Sequence, residues 1–202
     1  MKTKLFIFIA IICMMSAMPT KAQIVEEGNV VIDLYYGWPN LYTTVLKAAY
    51  AEDAINSSVK IGSIGPLGLR FEYMISDVIG VGFDAGYVDT WLKFKEEDIS
   101  TNIIYDYKIS VPKVHAIFKM NFHFSNSDRV DAYGGFGVGY KNRTFKIETN
   151  DPSYNGETLK TVIPVMVRLC VGTRFFLTEN IGLSAEMGLG GPLLSFGIST
   201  RF

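Results

Sequence analysis

Ile181-Gly182-Leu183-Ser184-Ala185-Glu186-Met187-Gly188-Leu189 is the stretch on which the fold turns. Ile181, Leu183, Ala185, Met187 and Leu189 fall on one side; Gly182, Ser184, Glu186 and Gly188 fall on the other. A period of two is the side-chain period of a β-strand. Residues 162–175 repeat it, with Ile163, Val165, Val167, Leu169 and Val171 set against Met166, Arg168, Cys170, Gly172 and Arg174. In 114–124, Val114, Ala116, Phe118, Met120, Phe122 and Phe124 oppose His115, Ile117, Lys119, Asn121 and His123. A soluble barrel points its apolar face inward. Here that face carries bulky aromatics, oversized for a narrow interior, while the other face holds glycines and charges. Pointing the apolar face at lipid resolves the conflict.

Working outward, eight alternating strands follow at about 29–38, 60–74, 79–94, 104–124, 130–146, 159–176, 181–190 and 193–202. The connections 75–78, 125–129 and 177–180 are tight and polar, 39–59, 95–103 and 147–158 are longer, and 190–192 is a short closing turn. Short turns at one end and mostly longer loops at the other are the layout of an all-β, eight-stranded antiparallel up-and-down transmembrane β-barrel. The tight turns belong on the periplasmic side. Pro66, Pro112, Pro164 and Pro192 lie within or beside strands, toward the outer rim, and read as strand starts or bulges there. Leu41, Val45, Leu46, Ala48 and Ala49 have helical spacing, which predicts a short helix over the barrel mouth.

The first residues set the compartment. Lys2 and Lys4 precede an apolar run from Leu5 to about Met18, and Thr20-Lys21-Ala22 reads as a cleavage site. This is a secretory signal peptide over 1–22, leaving a barrel domain over 23–202. The run is too short for a spanning helix, and Cys13 is read as one more apolar residue within it. Without the three signal lysines, 16 basic residues face 20 acidic ones, a formal charge of −4. That balance gives nucleic acid no footing. Cys170 alone remains after cleavage, so no intramolecular disulfide forms.

Aromatics mark the two ends of the outward face. Trp38, Trp91 and Tyr140 lie near the outer strand ends, and Tyr73, Phe122, Phe124, Phe175 and Phe202 near the inner ends. Two such rings at the headgroup levels are the girdle of a spanning barrel. The inward face carries Asp33, Arg70, Glu72, Asp84, Lys119, Asp131, Arg168, Arg174, Glu186 and Arg201, five of each sign. Eight strands enclose a lumen only just wide enough for side chains. Charges confined there must pair, because one left uncompensated costs several kcal/mol. A salt-bridge network filling a plugged scaffold is therefore expected, with a gated narrow pore as the alternative.

These features resemble the small outer-membrane β-barrels of the OmpA, OmpX and OmpW kind. The tail Ser195-Phe196-Gly197-Ile198-Ser199-Thr200-Arg201-Phe202 is similar to their C-terminal assembly signal: Ser195, Gly197 and Phe202 fit, and Thr200 stands where an apolar residue is usual. The resemblance implies location in the outer membrane. It implies outer-membrane lipid and lipopolysaccharide as surroundings and the barrel assembly machinery as a partner; oligomeric state stays open. It fixes architecture far better than activity. His123-Phe124-Ser125-Asn126 locally resembles the His-x-Ser-Asn stretch of lipid A deacylases, but it lies at a turn assigned to the periplasm, whereas that family works at the outer leaflet. Gly137 stands where the acid would be sought. His115 and His123 are roughly 25 Å apart along one strand, too far to share a metal. The expectation is a non-enzymatic barrel with no cofactor, serving membrane integrity or surface interaction. A narrow channel for small or apolar solutes is second, and a lipid A-modifying hydrolase third.

Overall fold

A computed structural model describes residues 24–50, 59–98, 102–154, 158–160 and 163–202. The signal segment 1–22, with its cleavage site, lies outside them. Ten strands form: β1 (Val30–Trp38), β2 (Val59–Ser76), β3 (Ile79–Asp98), β4 (Ile103–Ser110), β5 (Lys113–Asn126), β6 (Val130–Thr149), β7 (Thr158–Lys160), β8 (Val165–Phe176), β9 (Ile181–Leu189) and β10 (Leu194–Arg201). One helix, α1 (Leu41–Ala49), follows β1. Eight strands close a ring in the order β1, β2, β3, β5, β6, β8, β9, β10, each antiparallel to the next, with β10 pairing back onto β1. The closed ring leaves no open edge in lipid.

Two of the expected strands are broken. The span 104–124 divides into β4 and β5 at Val111-Pro112, and 159–176 divides into β7 and β8, with Pro164 just before β8. Proline lacks the N–H a ladder needs. The chain turns there, and neighbours hold the break: Val111 N donates to Thr90 O at 2.8 Å and Thr144 N to Pro112 O at 3.0 Å. Pro66 sits in the irregularity of β2 between Ile64 and Leu67. Above these breaks β4 bridges β3 and β6, so the wall continues beyond the ring. Lys95-Glu96-Glu97-Asp98, expected in a loop, is the end of β3.

The core of this molecule is polar. Along β8, exposed and buried residues alternate without interruption. Val167 is 59% exposed while its neighbour Arg168 is wholly buried. Such an outward apolar wall is stable only against lipid.

The tight turns and the start of the described chain share one end. Glu27 N donates to Asp77 Oδ1 at 3.0 Å, Ile24 N to Ser127 O at 3.1 Å and Arg201 N to Asn180 O at 2.8 Å. There Ile24 and Val25 turn inward and pack with Val31, Met74 and Phe176 into an apolar cap. At the opposite end lies α1. Its N-cap Asn40 accepts from Thr43 N and donates to Thr90 Oγ1 at 3.0 Å, which pins the helix to β3.

Candidate functional site: the charged lumen

Alternation places every second residue of each stave in the lumen, and the charges gather around two centres. Nearer the apolar cap, Arg174 is 1% exposed and meets three carboxylates: Asp33 at 3.0 Å, Glu72 at 2.6 Å and Asp131 at 2.9 Å. Ser199 and Asn121 donate to Asp33 and Glu72 at 2.5 and 2.6 Å. His123 Nδ1 lies 2.6 Å from Asp131 and Nε2 lies 3.1 Å from Glu72. Both ring nitrogens face carboxylate oxygens, so both must donate, and only the imidazolium does that.

Farther out the arrangement inverts, with an anion at the centre. Glu186 receives Arg168 at 2.6 Å, Lys119 at 2.8 Å, Arg70 at 3.2 Å and the Tyr133 hydroxyl at 2.9 Å. Asp84 beside it accepts from Tyr35 OH at 2.7 Å and lies 3.5 Å from Arg70 Nε. Tyr133 ties the centres together, since the Arg174 guanidinium stacks 4.5 Å from its ring centroid. The Arg70 guanidinium stacks likewise on Tyr35 at 3.8 Å. In a low-dielectric tube such pairing is what lets the charges stay buried.

Nine of the ten lumen charges read from the sequence stand in these two centres. Arg201 does not. It is in phase with the inward face but sits at the end of β10, where the wall stops, and its guanidinium donates to the carbonyls of Glu179 and Ile24. His123 takes its place as the fifth cation against Asp33, Glu72, Asp84, Asp131 and Glu186. The sequence signal for His123 is its shared phase with Lys119 and Asn121, although it carries no formal charge. Facing Glu72 and Asp131, the imidazole is committed to ion pairs. Among the described residues no group of three or more His, Cys, Asp or Glu side chains is placed to hold a metal ion.

On the outer surface, Trp38, Tyr140, Tyr73, Phe122, Phe124, Phe175 and Phe202 are exposed. Trp91 is half-buried because its ring lies across Gly62, where a Cβ would come within 2.1 Å. In the tail, Ser195 points inward and accepts from Arg70 Nη2 at 2.7 Å. Gly197 admits its neighbour β1 closely, since a Cβ there would lie 2.3 Å from Leu34 O. Phe202 exchanges backbone hydrogen bonds with Val30.

Beyond Trp91 the outward face turns basic. Lys60, Lys93 and Lys108 stand opposite one another on β2, β3 and β4, followed by Glu148 on β6. Lys108 pairs with Glu148 at 2.8 Å and holds that carboxyl below its usual range. Among the described residues no carboxylate pairs with Lys60 or Lys93.

No curated protein matches the sequence. Among the solved structures that resemble the chain are three barrels. The N-terminal β-barrel domain of Pseudomonas aeruginosa OprF is 12% identical, covering 88% of this chain and all of that one, with a TM-score of 0.42. Ail, the attachment invasion locus protein of Yersinia pestis, solved with the heparin analogue sucrose octasulfate, is 14% identical over 87% of this chain and 99% of that one, TM-score 0.45. OprG of Pseudomonas aeruginosa is 12% identical over 88% and 97%, TM-score 0.42. The family described as outer membrane protein beta-barrel domain matches residues 7–191, most of the sequence. With that match and the closed ring of eight lipid-facing staves, the chain belongs to the outer-membrane β-barrel family.

Proposed function

We propose that this protein is a closed, non-enzymatic barrel that works through its outer surface, anchoring the lipopolysaccharide leaflet and so supporting outer-membrane integrity. One observation carries the reading. The Arg174 and Glu186 centres fill the lumen with mutually paired side chains, and the Ile24–Val25 cap lies across the end that carries the tight turns. A tube packed in this way has no room for a steady ion path. Function then falls to the outside, where Lys60, Lys93 and Lys108 stand just beyond Trp91. Interfacial tryptophan sits at the headgroup level. Lysines two residues farther out start roughly 7 Å higher along the strand. The Lys93 ammonium lies 5.0 Å from the Trp91 ring, within the headgroup layer, where each basic side chain contributes about 1 kcal/mol of attraction.

The same reading includes export through the 1–22 segment, cleavage after Ala22, and delivery to the assembly machinery by Ser195, Gly197 and Phe202. Planar bilayers test it. Protein refolded without other porins should give no steady current, and lipopolysaccharide carried through purification should fall in Lys60→Gln/Lys93→Gln. Large, stable wild-type channels would replace this reading with the narrow-transporter one.

A further inference from the structure

Cation and anion balance in the two lumen centres, but the balance ends below the outer mouth. Lys113 and His115 on β5 stand opposite Arg143 and Lys141 on β6. The phase of both strands points these four side chains into the mouth. Lys113 is within electrostatic reach of Lys141, Arg143 and Arg168. Among the described residues no carboxylate pairs with Lys113 or Lys141. Like charges gathered in a low-dielectric cleft raise a positive potential and concentrate anions there.

Three further features are those of a binding site. First, a cavity of about 70 Å³ lies under α1, lined by Leu41, Tyr42, Lys113, His115, Gly191 and Pro192. At about 30 Å³ for a water in the liquid, it holds roughly two waters, or one small oxyanion. Second, a buried N–H donor in this region lacks a protein partner. It is Arg168 Nη1, although Nε and Nη2 of the same guanidinium both bind Glu186. The donor lies against the cavity wall, since a Cβ on Gly191 would come within 1.9 Å of it. Buried donors of this kind are rarely left unmet. His115, also on the cavity wall, faces the Asp84 carboxylate, its Nε2 lying 3.5 Å from Oδ1. Third, the cavity has a roof. Asn40 fastens α1 to Thr90, and the Arg143 guanidinium stacks on Tyr42 at 4.3 Å.

We propose that the outer mouth of the barrel, beneath α1, binds a small oxyanion, a phosphate, sulfate or carboxylate group. Lys113 and Lys141 supply charge from above. Arg168 Nη1 is available to donate from behind Gly191, and the His115 ring lines the wall. The ligand enters from outside and stops there, because the Glu186 centre closes the tube beneath it. Binding at equilibrium does not depend on the closed-barrel reading, so a failure of one leaves the other standing.

The experiment uses the full mature chain refolded in zwitterionic micelles and titrated calorimetrically with inorganic phosphate at fixed ionic strength. One site with a Kd below about 1 mM is expected, with a shift of the His115 ring resonances on saturation. Lys113→Gln/Lys141→Gln should weaken binding about tenfold or more. Lys113→Arg/Lys141→Arg should retain it. Gel mobility reports folding of each variant. A lipopolysaccharide arm separates the sources: competition that depends on Lys113 and Lys141 marks a headgroup phosphate, and unaltered phosphate binding marks a free anion. No saturable binding by the folded wild type, or binding indifferent to the double glutamine variant, overturns the proposal.

Discussion

Replacing Arg174 with methionine isolates the worth of the inner charge centre. Methionine keeps most of the side-chain volume and removes the cation. Lost with it are the contacts to Asp33 at 3.0 Å, Glu72 at 2.6 Å and Asp131 at 2.9 Å. His123 is then the remaining cation beside three carboxylates. Removing one partner of a buried pair costs about 3–5 kcal/mol, or roughly two to four decades in the folding constant. Three acids lose a partner at once, which favours the upper figure, while water entering the lumen lowers it. Urea titration in micelles, followed by gel mobility of the folded form, measures the change. A loss below about 1 kcal/mol, the scale of an exposed pair, would refute the reasoning. A companion variant makes the test specific to charge. Arg174→Met with Asp33→Asn leaves four cations and four acids in the lumen and should recover at least half of the loss. No recovery would assign the effect to packing.

His123→Gln leaves one amide to serve Glu72 and Asp131 and removes a charge; a loss of about 1–3 kcal/mol is expected on urea titration. Lipid A from cells expressing it should be unchanged by mass spectrometry, and loss of an acyl chain that depends on His123 would restore the hydrolase reading. Deleting Phe202 removes two backbone hydrogen bonds to Val30, a modest change to refolded protein of about 1–3 kcal/mol. The yield of heat-modifiable barrel in the outer membrane should fall further than that. Equal yields would make the tail an ordinary strand end.

The ring was legible because lipid imposes a demand that solvent does not. The outward residues of a spanning stave must be predominantly apolar, so β8 and β9 announce themselves by strict alternation. Outside the membrane that demand lapses. Lys95-Glu96-Glu97-Asp98 belongs to β3 because its backbone pairs with β4, and nothing in its side chains reports a ladder. The prolines were visible, but their consequence depended on the neighbours. Pro66 is absorbed within a continuous β2, whereas Pro112 separates β4 from β5, each of which pairs with β3 and β6.

The lumen shows where a period-two reading stops. Alternation gives the side of the wall and says nothing about height, so Arg201, inward in phase, was placed in a network that ends one turn of the ladder above it. His123 has the same phase and the right height, yet it is formally neutral and dropped out of the charge count. The two errors cancel, and the lumen still holds five positive and five negative groups. Neutrality is the stronger constraint here, because the energy depends on which charges meet in the tube and not on which residue types are conventionally charged. Lys113 and Lys141 share the inward phase of β5 and β6 but lie above the neutral middle. On the readings proposed above, a lumen neutral in its middle and basic at its mouth separates two tasks along one axis: internal pairing closes the tube, and the basic mouth takes an anion from outside.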